Sequence, residues 1–402
     1  MSSQVSVVLF VSAGIITIVC QLFILQFVSK TSLTIRKKIR NIRRMHVAVT
    51  ISQCFIMVIF AYVMLEVVFT GSYSSMSSIL VTIFSYAMSI SLMGVFAVIF
   101  LTWYSTNRSS VLVLVYGLSF ATVVITSVPL LALWIHVYGE QIPANIFPTS
   151  EVFFGHSEEG SNWKILSKIY QYSDIASFFL KWGGTALILY HYSRKIGKVK
   201  FWFLLSLPVA YFSTLMIYHF HIYEPHEELE SLIFFGIVSL NSTFGGILFY
   251  LAFKLTSQNF RSNGIRDYLL MAGYGFMLFF SATQANVITT VYPPFGFATI
   301  SSYGLGSYLI LLGLYLSALS VSQDEQLKNM IKKSTLSESK FLNSIGTSAG
   351  ERENVIVNTV LDKAKRQRET ISKDIGIGTS LTEEDIKNYV KEVEEEDSQG
   401  TT

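Results

Sequence analysis

Charge is scarce in this 402-residue chain. Asp, Glu, Lys and Arg together make up 14% of it, against about 25% in soluble domains. That shortage argues against a single soluble globular protein. Cysteine is scarcer still: Cys20 and Cys54 are the only two, and both sit inside apolar runs. A disulfide scaffold is excluded, and so is a cysteine-based zinc or iron–sulfur site. There is no GxxxxGK[ST], no GxGxxG following a strand, no HExxH and no GxSxG. Nucleotide-binding, zinc-protease and serine-hydrolase chemistries lose their usual signatures, and no residue is nominated as catalytic.

Hydrophobic residues make up 51% of the chain and aromatics 14%. The charge that exists is unevenly placed. Residues 1–321 hold 18 Lys/Arg and 11 Asp/Glu, net +7, whereas residues 322–402 hold 12 and 16, net −4. The change of character divides the chain into a membrane-like part, 1–321, and a polar tail, 322–402.

A helix needs roughly 20 apolar residues to cross a hydrocarbon core of about 30 Å. Nine stretches meet that length: 5–28, 46–69, 78–103, 111–136, 169–192, 201–221, 231–253, 268–290 and 297–320. Several are rich in Val, Ile and Phe, which favour strands in water. In lipid, a helix satisfies its own backbone hydrogen bonds and an isolated strand cannot. The expected fold is therefore all-α, a polytopic transmembrane bundle of about nine spans.

Positive charge stays on the cytoplasmic side of short loops. The first connection carries Lys30, Arg36, Lys37, Lys38, Arg40, Arg43 and Arg44, and the third Arg108. The fifth carries Arg194, Lys195, Lys198 and Lys200, and the seventh Lys254, Arg261 and Arg266. The other four connections hold only Lys164 and Lys168. This alternation predicts an N-terminus outside and a C-terminus in the cytoplasm, in the cell membrane. The opening residues lack the positive region of a cleaved signal peptide, and no lipidation motif or internal repeat is visible.

Two charges fall inside the fifth span, Asp174 and Lys181. A charge at mid-bilayer costs about 2.5–3.5 kcal/mol on insertion scales, so it faces the bundle interior or a water-filled cavity. Seven residues make two helical turns, which puts both side chains on one face, about 10.5 Å apart along the axis. Glu66 in the second span lies at a similar outer depth. Glu66, Asp174 and Lys181 are the candidate intramembrane polar site for an ion, proton or ligand; a buried clasp that fixes helix register is the alternative. Gln53, Asn241, Gln284 and Asn286 read as interhelical glue, and Gly183-Gly184, Gly245-Gly246 and Gly273/Gly275 as points of close helix approach.

The outward side collects histidines, densest in His219-Phe-His221-Ile-Tyr-Glu224-Pro-His226. Imidazole suits Zn, Cu, Fe and Ni, and a carboxylate can complete the shell. His219, His221, His226 and Glu224 are the candidate ligands, and a divalent metal the candidate cofactor. Titration near neutral pH and a plain polar cap over the bundle are the competing readings. The connection 137–168, with Pro143, Pro148, Phe153, Phe154 and Trp163, suits an interfacial segment resting on headgroups.

From Ser322 on, apolar residues are spaced loosely among charges, and Thr382-Glu-Glu-Asp385 has the pattern of a helix start. About 80 residues with so few large apolar groups make a poor independent core. The tail reads as a helical, partly disordered extension for which docking of a cytoplasmic protein partner and a solvated tail that tunes stability or turnover are the two readings. Nucleic acid does not fit its net negative charge. The stretch Leu316-Ser317-Ala318-Leu319-Ser320, with Gln323-Asp324, Ile331-Lys-Lys-Ser334, Glu338-Ser-Lys340 and Ser344-Ile-Gly-Thr347, resembles uncharacterised archaeal multi-pass membrane proteins with a short helical tail. The resemblance implies this topology and carries no function.

Together these features point to a membrane receptor or sensor-like protein coupling an outer or intramembrane site to its tail. A cation or small-solute transporter or channel is the alternative, and a homo-oligomer in the bilayer is compatible with either. The histidine reading yields a direct check. Thermal unfolding of detergent-purified protein is expected to shift upward with one of a panel of divalent metals, because a ligand at 100 times its Kd adds about 2.7 kcal/mol. The shift should vanish in His219→Ala/His221→Ala. No shift with any metal refutes the site.

Overall fold

The computed structural model describes residues 4–33, 40–71, 73–106, 111–139, 161–190, 197–219, 245–258, 263–283 and 296–323. Among them there is no strand. The helices are α1 (Gln4–Thr31), α2 (Arg40–Thr70), α3 (Ser75–Thr106), α4 (Val111–Gly139), α5 (Ser161–Tyr190), α6 (Lys198–His219), α7 (Gly245–Ser257), α8 (Asn263–Thr283) and α9 (Gly296–Gln323). The β-branched and aromatic runs thus fold as helices, as the hydrogen-bond argument for lipid requires.

Five helices are long and apolar enough to cross a membrane: Val7–Thr31, Ile42–Thr70, Ile79–Ser105, Val111–Ala132 and Gly296–Ser320. Their outward faces are apolar too. Leu9, Phe23, Val58, Leu65 and Val98 are all exposed, as are Phe179 and Trp202 on α5 and α6. Exposed apolar surface spread over so many helices far exceeds the isolated patches of soluble monomers. It is the surface a bilayer covers, and the chain is an integral membrane protein. The fifth span starts earlier than its hydropathy suggested. α5 takes in Trp163, Lys164 and Lys168, and α4 runs to Gly139, so the connection between them is shorter than 137–168. Residues 324–402, the bulk of the expected tail, lie outside the described residues.

Contacts fix the direction of each helix. Phe10 meets Phe60 while Gln21 bonds Gln53, so α1 and α2 are antiparallel. Gln53 bonds Ser301 and His46 bonds Tyr308, so α2 and α9 are antiparallel as well. Tyr86 faces Tyr303 and Ser89 faces Ser307, so α3 runs with α9. Tyr116 pairs with Thr185 and Thr126 with Ser173, turning α5 against α4. Trp182 bonds the Leu205 carbonyl and Phe178 stacks on Phe212, turning α6 against α5. The Trp182 bond falls in the turn that Pro208 deprives of a backbone donor. Gly246 meets Met277 and Gly273 meets Phe253, turning α8 against α7.

α9, the last of the described helices, is the axis of the bundle. In its most apolar stretch 89% of the residues are buried, against 17% for α1. α8 packs along it most extensively, and α1, α2 and α3 also touch it. Without hydrophobic attraction between helices in lipid, small residues that allow close backbone approach are what drive packing. A Cβ added at Gly275 would lie 2.7 Å from the Ile310 nitrogen, and one at Gly313 would lie 2.6 Å from both the Ala272 nitrogen and the Tyr268 carbonyl oxygen. Gly245, Gly246 and Gly273 make similarly close approaches, and Gly184 meets Val115 and Tyr116. Gly183 does not: nothing lies within 4 Å of its added Cβ.

At the end of the bundle that holds the start of α1, Phe10, Phe60, Val81, Phe297 and Ile300 form a second apolar cluster. Tyr73, in the turn between α2 and α3, seals it edge-on against Phe297. Burial there pushes the Tyr73 phenol up to about 12.

The glycine geometry separates two substitutions that look alike in sequence. Gly313→Ala sets a methyl against backbone that cannot move aside and is expected to cost about 1–3 kcal/mol. Gly183→Ala meets open space and should be neutral or stabilising by up to about 1 kcal/mol through helix propensity. Thermal unfolding in one detergent compares them, and equal effects would contradict the close α8–α9 approach.

Candidate intramembrane polar site

α5 presents one polar stripe inward: Tyr170, Asp174, Ser177, Lys181 and Thr185, at helical spacing. Ser177, Lys181 and Thr185 are buried, Asp174 only partly so. The Lys181 ammonium sits over the Phe279 ring, 5.1 Å from its centroid, and Phe279 stacks in turn on Tyr303 at 4.8 Å. Among the described residues Lys181 has no salt bridge, but Asp174 and Lys181 each feel the other's charge. Asp174 also acts on the Tyr170 and Tyr303 hydroxyls. The two-turn spacing therefore sets both charges along one face of α5.

Tyr303 is the hub on α9. Ser127 from α4 hydrogen-bonds its hydroxyl at 3.1 Å, and Ser89 from α3 joins the same group through Ser307. The Ser89 and Ser307 hydroxyls are 2.7 Å apart, and the Ser307 hydroxyl donates back to the Tyr303 carbonyl at 3.1 Å. The result is a hydroxyl chain through α3, α4 and α9 that borders the charges of α5. Its members are all buried, and each such link between helices is worth about 0.6–2 kcal/mol.

A second polar group lies at nearly the same depth on the other flank of α9. Gln21 Nε2 donates to the Ser301 and Ser302 hydroxyls at 2.8 and 2.9 Å. Gln53 Nε2 donates to Gln21 Oε1 at 3.0 Å and to the Ser301 carbonyl at 2.8 Å. Gln53 is thus the interhelical link its sequence position suggested; Asn241, Gln284 and Asn286 lie outside the described residues. Further toward the start of α2, His46 Nδ1 is 2.8 Å from the Tyr308 hydroxyl, both buried.

Glu66 is engaged elsewhere. Its Oε2 accepts the Ser74 N–H at 3.0 Å, capping the start of α3, where a carboxylate also suits the helix dipole. Among the described residues it makes no hydrogen bond or salt bridge with Asp174 or Lys181. Of the outer histidines, His219 closes α6, and its side chain, with all of His221, Glu224 and His226, lies outside the described residues. Among the described residues no group of three or more metal-ligating side chains occurs.

Sequence reasoning missed Tyr303, Ser89, Ser127 and Ser307 because hydroxyls are common in transmembrane helices and carry no charge to flag them. The signal available was their helical spacing within α9, where Ser301, Ser302, Tyr303 and Ser307 fall within two turns.

No family model matches the chain, no curated protein matches it significantly, and no solved structure does so.

The mutual influence of Asp174 and Lys181 predicts coupling. Lys181→Met alone leaves Asp174 without its compensating charge, and Asp174→Asn alone does the same to Lys181. The double variant should be more stable than the sum of the singles allows, by about 0.5–3 kcal/mol. A double-mutant cycle by thermal unfolding in detergent measures this; additive losses would mean the two charges act independently.

Proposed function

We propose that the chain is a receptor of the cell membrane in which a small ligand at the Asp174–Lys181 stripe biases the position of α9, and with it the cytoplasmic tail. The observation that supports this is the place of α9. It is the most buried span, it holds the hydroxyl hub beside the α5 charges, and the chain continues from it into residues 324–402. A ligand shifts such an equilibrium only through differential contacts in the two states, and the polar stripe offers groups with which to make them.

The topology belongs to the same proposal: nine crossings, N-terminus outside, tail inside, with 1–321 as the bundle and 322–402 as the tail. The basic residues on alternate connections and the reversal of direction from helix to helix both favour it. The lipid-facing cysteines are exposed, so labelling needs a Cys20→Ser/Cys54→Ser background. A cysteine introduced at Ser2 should react with a membrane-impermeant maleimide on intact cells, and one at Ser337 only after permeabilisation. The reverse pattern, or the same side for both, refutes the orientation or the odd number of crossings.

A transporter of a cation or small solute is the second reading, favoured by the paired charges of α5. Sealed vesicles discriminate. For a receptor, Asp174→Asn or Lys181→Met alters protease access to the chain beyond Gln323 while Na⁺, K⁺ and H⁺ fluxes stay at the level of empty vesicles. For a transporter, wild-type protein carries flux and both substitutions abolish it.

A further inference from the structure

We infer that a single water molecule is bound inside the membrane between α2, α3 and α9, held by the Gln53 side-chain carbonyl and the Ser85 hydroxyl. Both residues are fully buried, at 0% exposure, and among the described residues both oxygen atoms lack a hydrogen-bond partner. The Gln53 amide cannot be turned to cure this. Its nitrogen already donates to two acceptors, Gln21 Oε1 and the Ser301 carbonyl, and a flipped amide would set oxygen against both.

The helix register points the two unpartnered oxygens to one place. The antiparallel register that sets the Phe55 ring 4.7 Å from the Phe84 ring and caps Ser74 with Glu66 places Gln53 opposite the turn that carries Ser85. Both residues face α9. Gln53 reaches it at Ser301, and Ser85 lies on the helix face shared with Ser89, which reaches it at Ser307. Thr82, also buried, is three residues before Ser85 on that same face.

An unsatisfied carbonyl in hydrocarbon costs several kcal/mol. A water answers both groups at once: it donates to Gln53 Oε1 and accepts from Ser85, within the two to four partners buried waters make. A cation fits less well, because the described residues bring no carboxylate here and the Gln53 and Gln21 amide hydrogens point toward the same network. The bound water brings the glutamine group and the hydroxyl chain of Ser89, Ser307 and Tyr303 within one helical turn of each other, across α3. This inference involves neither Asp174 nor Lys181 and stands apart from the receptor proposal.

A high-resolution structure of the full chain in lipid nanodiscs is the decisive measurement, paired with thermal unfolding in NaCl, KCl and choline chloride. The expected result is a solvent-sized density about 2.7–3.2 Å from both oxygens and one melting temperature in all three salts. Ser85→Ala should lower that temperature by about 1–3 °C, and Ser85→Asn, whose amide can donate directly to Gln53, should recover part of the loss. A direct Ser85–Gln53 hydrogen bond with no density between them overturns the inference. So does a density with contacts shorter than hydrogen bonds together with a melting temperature that depends on Na⁺ or K⁺, which would make the occupant a cation.

Discussion

A bilayer core offers no water to a polar group, so each one must find its partner inside the protein. In this chain much of that requirement is met along one helix. α9 carries Ser301, Ser302, Tyr303, Ser307 and Tyr308, and each is bonded to another helix or back to its own turn. Neighbouring helices orient their own polar residues toward it: Gln21 from α1, Gln53 and His46 from α2, Ser89 from α3, Ser127 from α4. The remaining faces of those helices are then free to be apolar. Direction, register and the lipid-facing surface follow from which side chains reach this axis.

Close approach does along α8 what hydrogen bonds do on the other flanks of α9. Where α8 runs along α9, Gly275, Gly306 and Gly313 leave backbone against backbone or against β-carbons, and no side chain fits between. The aromatic stack of Phe249, Phe253, Phe276 and Tyr116 then fills the space between α4, α7 and α8. A rigid central pair and an aromatic layer give α5 a firm wall to press its charges against. Lys181 tolerates its burial partly because a ring face is there to meet its ammonium.

Helix type and the membrane setting were legible in the sequence because they rest on composition over twenty residues at a time. The charges of α5 stood out for the same reason, being rare where they lie. Their grouping on one face followed from spacing alone. Glu66 illustrates the opposite case: depth along a helix suggested a partnership with Asp174, but the local need of the α3 N-terminus for an acceptor claimed its carboxylate first. The centrality of α9 was invisible from the chain, since its hydropathy is lower than that of α1 while its burial is far greater. Small and hydroxylated residues lower the hydropathy of a helix, and they are what lets it serve as the axis of a bundle.

Chain order adds a consequence for biosynthesis. The helix on which the others converge is, among the described nine, the last to leave the ribosome, and membrane helices enter the bilayer in order of synthesis. For most of translation α1 to α8 must therefore remain near one another around a centre that has not yet arrived, with Gln21, Gln53, Ser89 and Ser127 still waiting for their partners. Assembly of the polar belt is deferred to the final insertion, which closes the bundle in one step. A ribosome that stalls anywhere before Gly296 releases a membrane product without its central helix, and quality control has a simple feature to detect in it: amide and hydroxyl groups left without their partners.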